Sequence, residues 1–229
     1  MDGSQERFRT LVSTKILTNF CNAPFRRGTE YLLDLASFDR VTDRDAEWFV
    51  RAIDGGIFSE VHGDFLAPRS SAKERIFWHG LKSETPRRLT LSIEAIIGIG
   101  AIGRLQHEHG WPPELLGLQP KTWAFDLATY ERDSDAPVIV GEVKTNPAEV
   151  DKMCDHFKRT FGGDGSLVEG GKDNWNRKIA WLRSQDARVV WAIGPNGHDR
   201  IYRIRKDVDT GRHLLLSGSR EDLDYQAHR

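Results

Sequence analysis

The 229-residue chain is 38% hydrophobic and 29% charged, a balance that supports a self-contained core and excludes disordered, collagen-like and fibrous classes. Its formal net charge of −1 neither announces nor excludes a nucleic-acid binder, because such binding depends on local patches. No run approaches the ~20 apolar residues of a membrane span, and the opening residues lack the basic and apolar pattern of a secretory leader, so a cytoplasmic protein without a membrane partner is expected.

Cys21 and Cys154 stand far apart, with neither a CxxC nor a Cys/His spacing, so the sequence indicates no disulfide framework and no zinc site. Residues 1–89 read as an extension, mostly helical with a short strand or hairpin. Within it Thr42 and Asp45 make a capping box, residues 45–53 are helix-compatible, Gly55 and Gly56 stop the helix, and residues 56–66 alternate as a strand or hairpin. Across residues 66–90 the basic Arg69, Lys73, Arg75, Lys82, Arg87 and Arg88 outnumber Glu74 and Glu84. Arg200, Arg203, Arg205, Lys206, Arg212 and Arg220 form a second basic stretch, and either stretch could equally be solvated surface.

From residue 90 the signal is stronger. LSIEAIIGIGAIGRLQ is apolar almost all round after Thr90 or Ser92, as in a buried helix, and it must end by Gly110 because Trp111-Pro112-Pro113 follows. TWAFDLATYE then reads as a strand, ERDSDA as a turn and PVIVGEVK as a second strand. An amphipathic segment to about Phe161, a glycine-rich stretch, a helix over about 174–184 and a strand over 188–193 come next. Pro195-Asn196-Gly197 and RIYRIRK complete a hairpin.

Glu142 and Lys144 lie two apart on a strand and therefore share a face, with Val143 opposite. Pairing Asp126 against Glu142 puts the midpoint of the connection at Ser134, inside the polar turn. The same alternation places Ala124 and Ala128 beside Asp126, and Phe125 and Leu127 on the other side. Two carboxylates and an ammonium then converge. Oxygen ligands of this kind suit magnesium, which would polarise a phosphate oxygen and acidify an attacking water, while Lys144 orients that water and balances transition-state charge. Glu94, among Ile93, Ala95, Ile96 and Ile97, needs a partner if buried; a metal, an arginine or exposure at the helix start would each satisfy it.

Glu94, Asp126, Glu142 and Lys144 in this order resemble the PD-(D/E)XK nuclease superfamily, over about residues 91–205. That resemblance implies an α/β fold with a restriction-endonuclease-like core at 90–229, in which helices flank a central mixed sheet. It implies a metal-dependent endonuclease, acting on DNA rather than RNA in restriction, defence or repair. Asp126, Glu142 and the Val143 carbonyl would hold magnesium, for which manganese could substitute, with Glu94 beside them and Lys144 assisting the nucleophile. Phe125 stands where the motif has proline, and Lys152 and His156 stand where some branches carry a glutamine motif. A homodimer would suit double-strand cleavage.

Lys158, Arg159, Lys172, Arg177 and Lys178, with Trp175 among them, could line a groove that tracks phosphates and offers an aromatic platform. One alternative is a nucleotide-dependent oxidoreductase, because Gly98, Gly100 and Gly103 match GxGxxG, but this requires residues 90–97 to be a strand. A DNA-binding module without cleavage is another. His107-Glu108-His109 lacks the four-residue spacing of a helical zinc motif and reads as a solvated helix end.

Overall fold

The computed structural model describes residues 3–121, 124–162, 174–185 and 187–229. Helix α1 (Gly3–Thr10) passes through a wider turn at Leu11–Ile16 into α2 (Leu17–Cys21). β1 (Tyr31–Leu33) and α3 (Asp43–Asp54) follow. As the sequence requires, the Thr42 hydroxyl accepts from the Asp45 amide at 3.2 Å, and Gly56 leaves the helix at φ +67°. β2 (Ser59–Val61) and β3 (Asp64–Leu66) form the expected hairpin, to which β4 (Glu74–Arg75) adds a third strand. β5 (Phe77–His79) and β1 flank β6 (Arg87–Leu91) in a second small sheet, antiparallel and parallel to it respectively.

Helices thus take up more of residues 1–89 than strands do, but the strands, two to five residues long and too short for alternation to register, are more numerous than the one strand or hairpin expected. The boundary placed after residue 89 falls inside β6. Phe8, Phe38, Phe49 and Phe77 share one apolar core with Ile96, Ile102, Leu127 and Trp191.

β6 leads directly into α4 (Ile93–His107), whose cap is Ser92, accepting from the Ala95 amide at 3.4 Å. β7 (Leu116–Leu118), β8 (Leu127–Tyr130), β9 (Pro137–Val143), β10 (Val189–Ile193), β11 (Asp199–Lys206) and β12 (His213–Ser217) form one six-stranded sheet in that spatial order. All neighbours are antiparallel except β9 and β10. A parallel pair needs a crossover, and the chain between them contains α5 (Pro147–Gly162) and α6 (Asn174–Ser184).

The protein is thus α/β, with mixed sheets flanked by helices. α3 packs on α4 and α4 on one side of the large sheet, while apolar residues of α5 and α6 join Val140, Val190 and Ala192 on the other. Every residue of β9 is buried, as expected for a strand covered on both faces.

Gly98, Gly100 and Gly103 lie inside α4, so residues 90–97 are not the strand a dinucleotide loop demands. Their small size serves packing, but chiefly against α3 and not the sheet. A Cβ on Gly103 would stand 2.6 Å from Ala52 Cβ, and one on Gly100 3.1 Å from Trp48 Cβ, whereas one on Gly98 would meet Leu118 and Val143 at an ordinary 3.7 Å.

The β8–β9 register is as anticipated next to the site, with Leu127 opposite Gly141 and Ala128 opposite Val140, before a bulge shifts the pairing toward the turn. β8 is shorter than TWAFDLATYE, however, and Asp126 lies just before its first residue. Strict alternation therefore fails there: Phe125 joins Ala128 in the α5/α6 cluster, while Leu127 packs on the α4 side.

Candidate active site

Glu142 occupies the penultimate position of β9, opposite Ala192 of β10. One residue earlier, a Cβ on Gly141 would stand 2.6 Å from Leu127 Cγ, so glycine lets β8 and β9 close around the site. Beyond the strand, the Lys144 amide donates to the Ile193 carbonyl at 2.9 Å and so continues the β9–β10 ladder. This fixes the backbone on both sides of Val143.

Asp126 is fixed by three bonds. Its amide donates to the Gly141 carbonyl at 2.9 Å, its carbonyl accepts from the Gln119 amide at 2.8 Å, and Oδ2 accepts from the Val143 amide at 2.7 Å. The side chain thereby takes a β9 edge donor that a longer β8 would have served through its backbone.

Glu142 is 2% exposed, and both of its oxygens are bound by ammonium groups. Lys144 Nζ donates to Oε1 at 2.6 Å and also to the Val143 carbonyl at 3.0 Å. Lys178 Nζ donates to Oε2 at 2.6 Å and to the Ala124 carbonyl, and lies 4.9 Å from the centre of the Phe125 ring. Lys178 is 4% exposed. It is therefore not one of the surface cations of a phosphate-tracking groove, as its helix suggested, but a buried partner of Glu142. The signal was present in the sequence: Lys178 sits three residues after Trp175 and three before Trp181, on the inward stripe of α6.

The electrostatics are unbalanced at Asp126. Burial, and secondarily the Glu142 carboxylate, push its carboxyl up to about 7, against the opposing pull of the Val143 amide, Lys178 and Lys144. At Lys144 burial acts to lower the ammonium, but the charge and hydrogen bond of Glu142 prevail, helped by Asp126 and Glu94, and hold it above its ordinary value.

Glu94 is in the first turn of α4 but exposed, so of its three sequence alternatives the structure adopts the helix start. It lines a cavity of about 230 Å³ together with Glu74, Trp78, Ser92, Gln119, Asp126 and Val143. Sequence reasoning missed Glu74 as a member of this group, since nothing in the irregular segment around β4 aims it anywhere. Burial raises its carboxyl, opposed by a 3.0 Å bond from Gln119 Nε2 and reinforced by Glu94.

The acids Glu94, Asp126 and Glu142 and Lys144 thus gather at one end of the sheet, joined by Lys178 and Glu74. Among the described residues, no group of three or more His, Cys, Asp or Glu is arranged to hold a metal ion.

The remaining described nucleic-acid candidates lie on α5 and α6, which pack together. Lys158 and Arg159 are exposed on α5 and Arg177 on α6. Lys158 lies 5.5 Å from the Tyr202 ring in a cavity it shares with Arg200 and Arg220. Trp175 is half-buried against His156, 5.4 Å between rings. Lys172 lies outside the described residues.

His109, expected at a solvated helix end, is instead 8% exposed, with Nδ1 2.7 Å from Asp224. Arg69, Arg75 and Arg88 of the first basic stretch pair with Asp135, Asp64 and Asp34. Cys21 and Cys154 are unpaired. No helix among the described residues is long and apolar enough to cross a membrane. Comparison with models of protein families, with curated proteins and with solved structures finds no match.

Proposed function

We propose that the chain is a metal-dependent nuclease with a restriction-endonuclease-like core, hydrolysing phosphodiester bonds of DNA in restriction, defence or repair. The observation that carries this reading is the gathering of Asp126, which lines the cavity, with Glu142 and Lys144 at the end of the sheet. The order of elements supports it: α4 with its acid, β8 after Asp126, β9 with Glu142 near its end and Lys144 just beyond it, then α5, α6 and β10.

The donor set fits a hard cation in its chemistry. Carboxylate oxygens suit magnesium or manganese, and a bound cation would favour the ionised form of Asp126, whose carboxyl burial and then a second acid push up to about 7. Such a cation, held by Asp126 and Glu142, would supply Lewis-acid polarisation of the phosphoryl group and a more acidic bound water. It would have to share Glu142 with at least one ammonium, because Lys144 and Lys178 already engage both oxygens.

The protein's own groups have separable tasks. Lys144 keeps a fixed positive charge beside the carboxylates and can donate to the attacking water or a phosphate oxygen as negative charge develops. Lys178 neutralises Glu142 from beneath and holds its rotamer, a positioning role. In hydrolysis the water oxygen bonds to phosphorus, its proton leaves to solvent or a neighbouring base, and the departing ester oxygen is protonated.

The engagement of both Glu142 oxygens by Lys144 and Lys178 favours a second reading, a DNA-binding protein that does not cleave. Incubating purified protein with plasmid, linear duplex, single-stranded DNA and RNA, each with magnesium, manganese or EDTA, separates the two. The nuclease reading expects cleavage with a divalent ion and none in EDTA. Binding without cleavage under every condition supports the second reading and overturns the first.

A further inference from the structure

Beyond the reacting centre, a wider cavity of about 680 Å³ is lined by Lys73, Glu74, Arg75, Trp78, His79 and Gln119 among others. Three of these residues, Glu74, Trp78 and Gln119, also line the smaller cavity that contains Asp126 and Glu94. The two spaces therefore meet, and Trp78 stands at their junction.

Trp78 is 64% exposed, although an indole usually hides most of its surface. Its backbone is not free to wander. Trp78 pairs with Thr90 on β6, Phe77 with Leu91, and the Ser92 amide at the cap of α4 donates to the Ile76 carbonyl at 2.8 Å. A rigid edge strand thus holds a bare aromatic ring beside the helix that carries Glu94.

Charge differs along the groove. Glu74, Glu94 and Asp126 line the smaller cavity, while Lys73 and Arg75, which line only the wider one, are exposed. Arg75 has Asp64 3.3 Å from Nε, an ion pair whose arginine side is 61% exposed. An aromatic plane flanked by cations beside a carboxylate centre suits an unstacked base with its phosphates. It does not suit a closed duplex, whose bases offer no free face.

We propose that this groove binds a single-stranded nucleic-acid segment, one base stacking on Trp78 and adjacent phosphates meeting Lys73 and Arg75. The inference rests on the nuclease reading for the place of the scissile bond, and it names the substrate as single-stranded or locally unpaired.

The test measures the affinity of the full chain for fluorescein-labelled oligothymidylate, and for the same strand annealed to oligoadenylate, in EDTA and at low salt. Wild type should prefer the single strand. Trp78→Ala should weaken single-strand binding about tenfold, in line with the loss of one stacked base, and leave duplex binding unchanged, while Trp78→Phe retains most of the affinity. Lys73→Ala should flatten the salt dependence. Equal affinity for both forms, no measurable binding, or indifference of single-strand binding to Trp78→Ala would overturn the proposal.

The outcomes distinguish the two claims. Trp78-dependent binding with no cleavage in magnesium or manganese would remove the nuclease reading alone. Metal-dependent cleavage with Trp78-independent binding would remove this one alone.

Discussion

Two buried charge clusters flank the large sheet, and only one resembles a place for chemistry. Arg104 of α4 is 1% exposed in its side chain and donates to Asp199 at 2.6 Å, with Glu108 3.6 Å from Nε. Its guanidinium is sandwiched between Trp48 and Trp191, at 4.1 and 4.8 Å from the ring centres. Its large neighbours are partners or lids, and the cavity that its partner Asp199 lines is the basic one of Lys158, Arg200 and Arg220. Glu142 is equally buried, with both oxygens bonded, but its cluster continues to Asp126, a carboxyl pushed up to about 7 that borders a cavity flanked by further acids, Glu74 and Glu94. Burial of charge alone therefore says little. Residual imbalance next to a cavity is what distinguishes a candidate site from a structural pin.

Substitutions should separate the two clusters by what they cost. Lys144→Ala is expected to lower metal-dependent cleavage by ~10²–10³-fold, the scale of losing one transition-state donor, with modest change in stability. Arg104→Ala should do the reverse, destabilising the chain by ~3–5 kcal/mol because Asp199 and Glu108 are left without their buried cation, while turnover per folded molecule stays unchanged. Denaturant titration alongside an assay of turnover checks both, and an Arg104→Ala protein that is fully stable but inactive would break the contrast.

Packing around the Arg104 side can be probed through its glycines. Gly103→Ala should cost ~1–3 kcal/mol, since its Cβ must displace Ala52 from a well-packed helix pair. Gly98→Ala, with ordinary contacts only, should be neutral or slightly stabilising. Thermal melts of the two variants decide, and equal melting temperatures would show that α3 and α4 are not as closely packed as described.

The smallest expected effect concerns the proton on Asp126. Its carboxyl is raised from 3.8 to about 7, so between these values the folded chain holds more protons than the unfolded chain. Stability therefore falls as pH rises through this window, and the loss is complete above about 7. Asp126→Asn removes the charge but keeps an acceptor for the Val143 amide, and should stabilise the metal-free protein at pH above 7 by on the order of 1–2 kcal/mol. It should change little in acid. A variant less stable than wild type in alkaline EDTA would show that Asp126 is already relaxed.

How much of this could be read from the chain depends on the range of the interactions. Glu142 and Lys144 were legible because a two-residue period is local, and the Asp126 register followed from the polar turn around Ser134. The end of β8 was not legible, because the bend before Leu127 depends on Asp126 itself bonding the Val143 amide across the strands. Lys178 reaches Glu142 across 36 residues, and Arg104 reaches Asp199 across 95; composition carries no trace of such pairings. Glu74 and Trp78 arrive from strands of two and three residues, too short to announce which way they face.

The central claim is that Asp126 serves chemistry at the expense of the fold, and a cleavage assay with single-stranded DNA and plasmid on wild-type and Asp126→Asn proteins, each in magnesium and in EDTA, tests it most directly. The account predicts cleavage by wild type in magnesium alone, and none by an Asp126→Asn protein that is folded and at least as stable. Undiminished cleavage by that variant would contradict it.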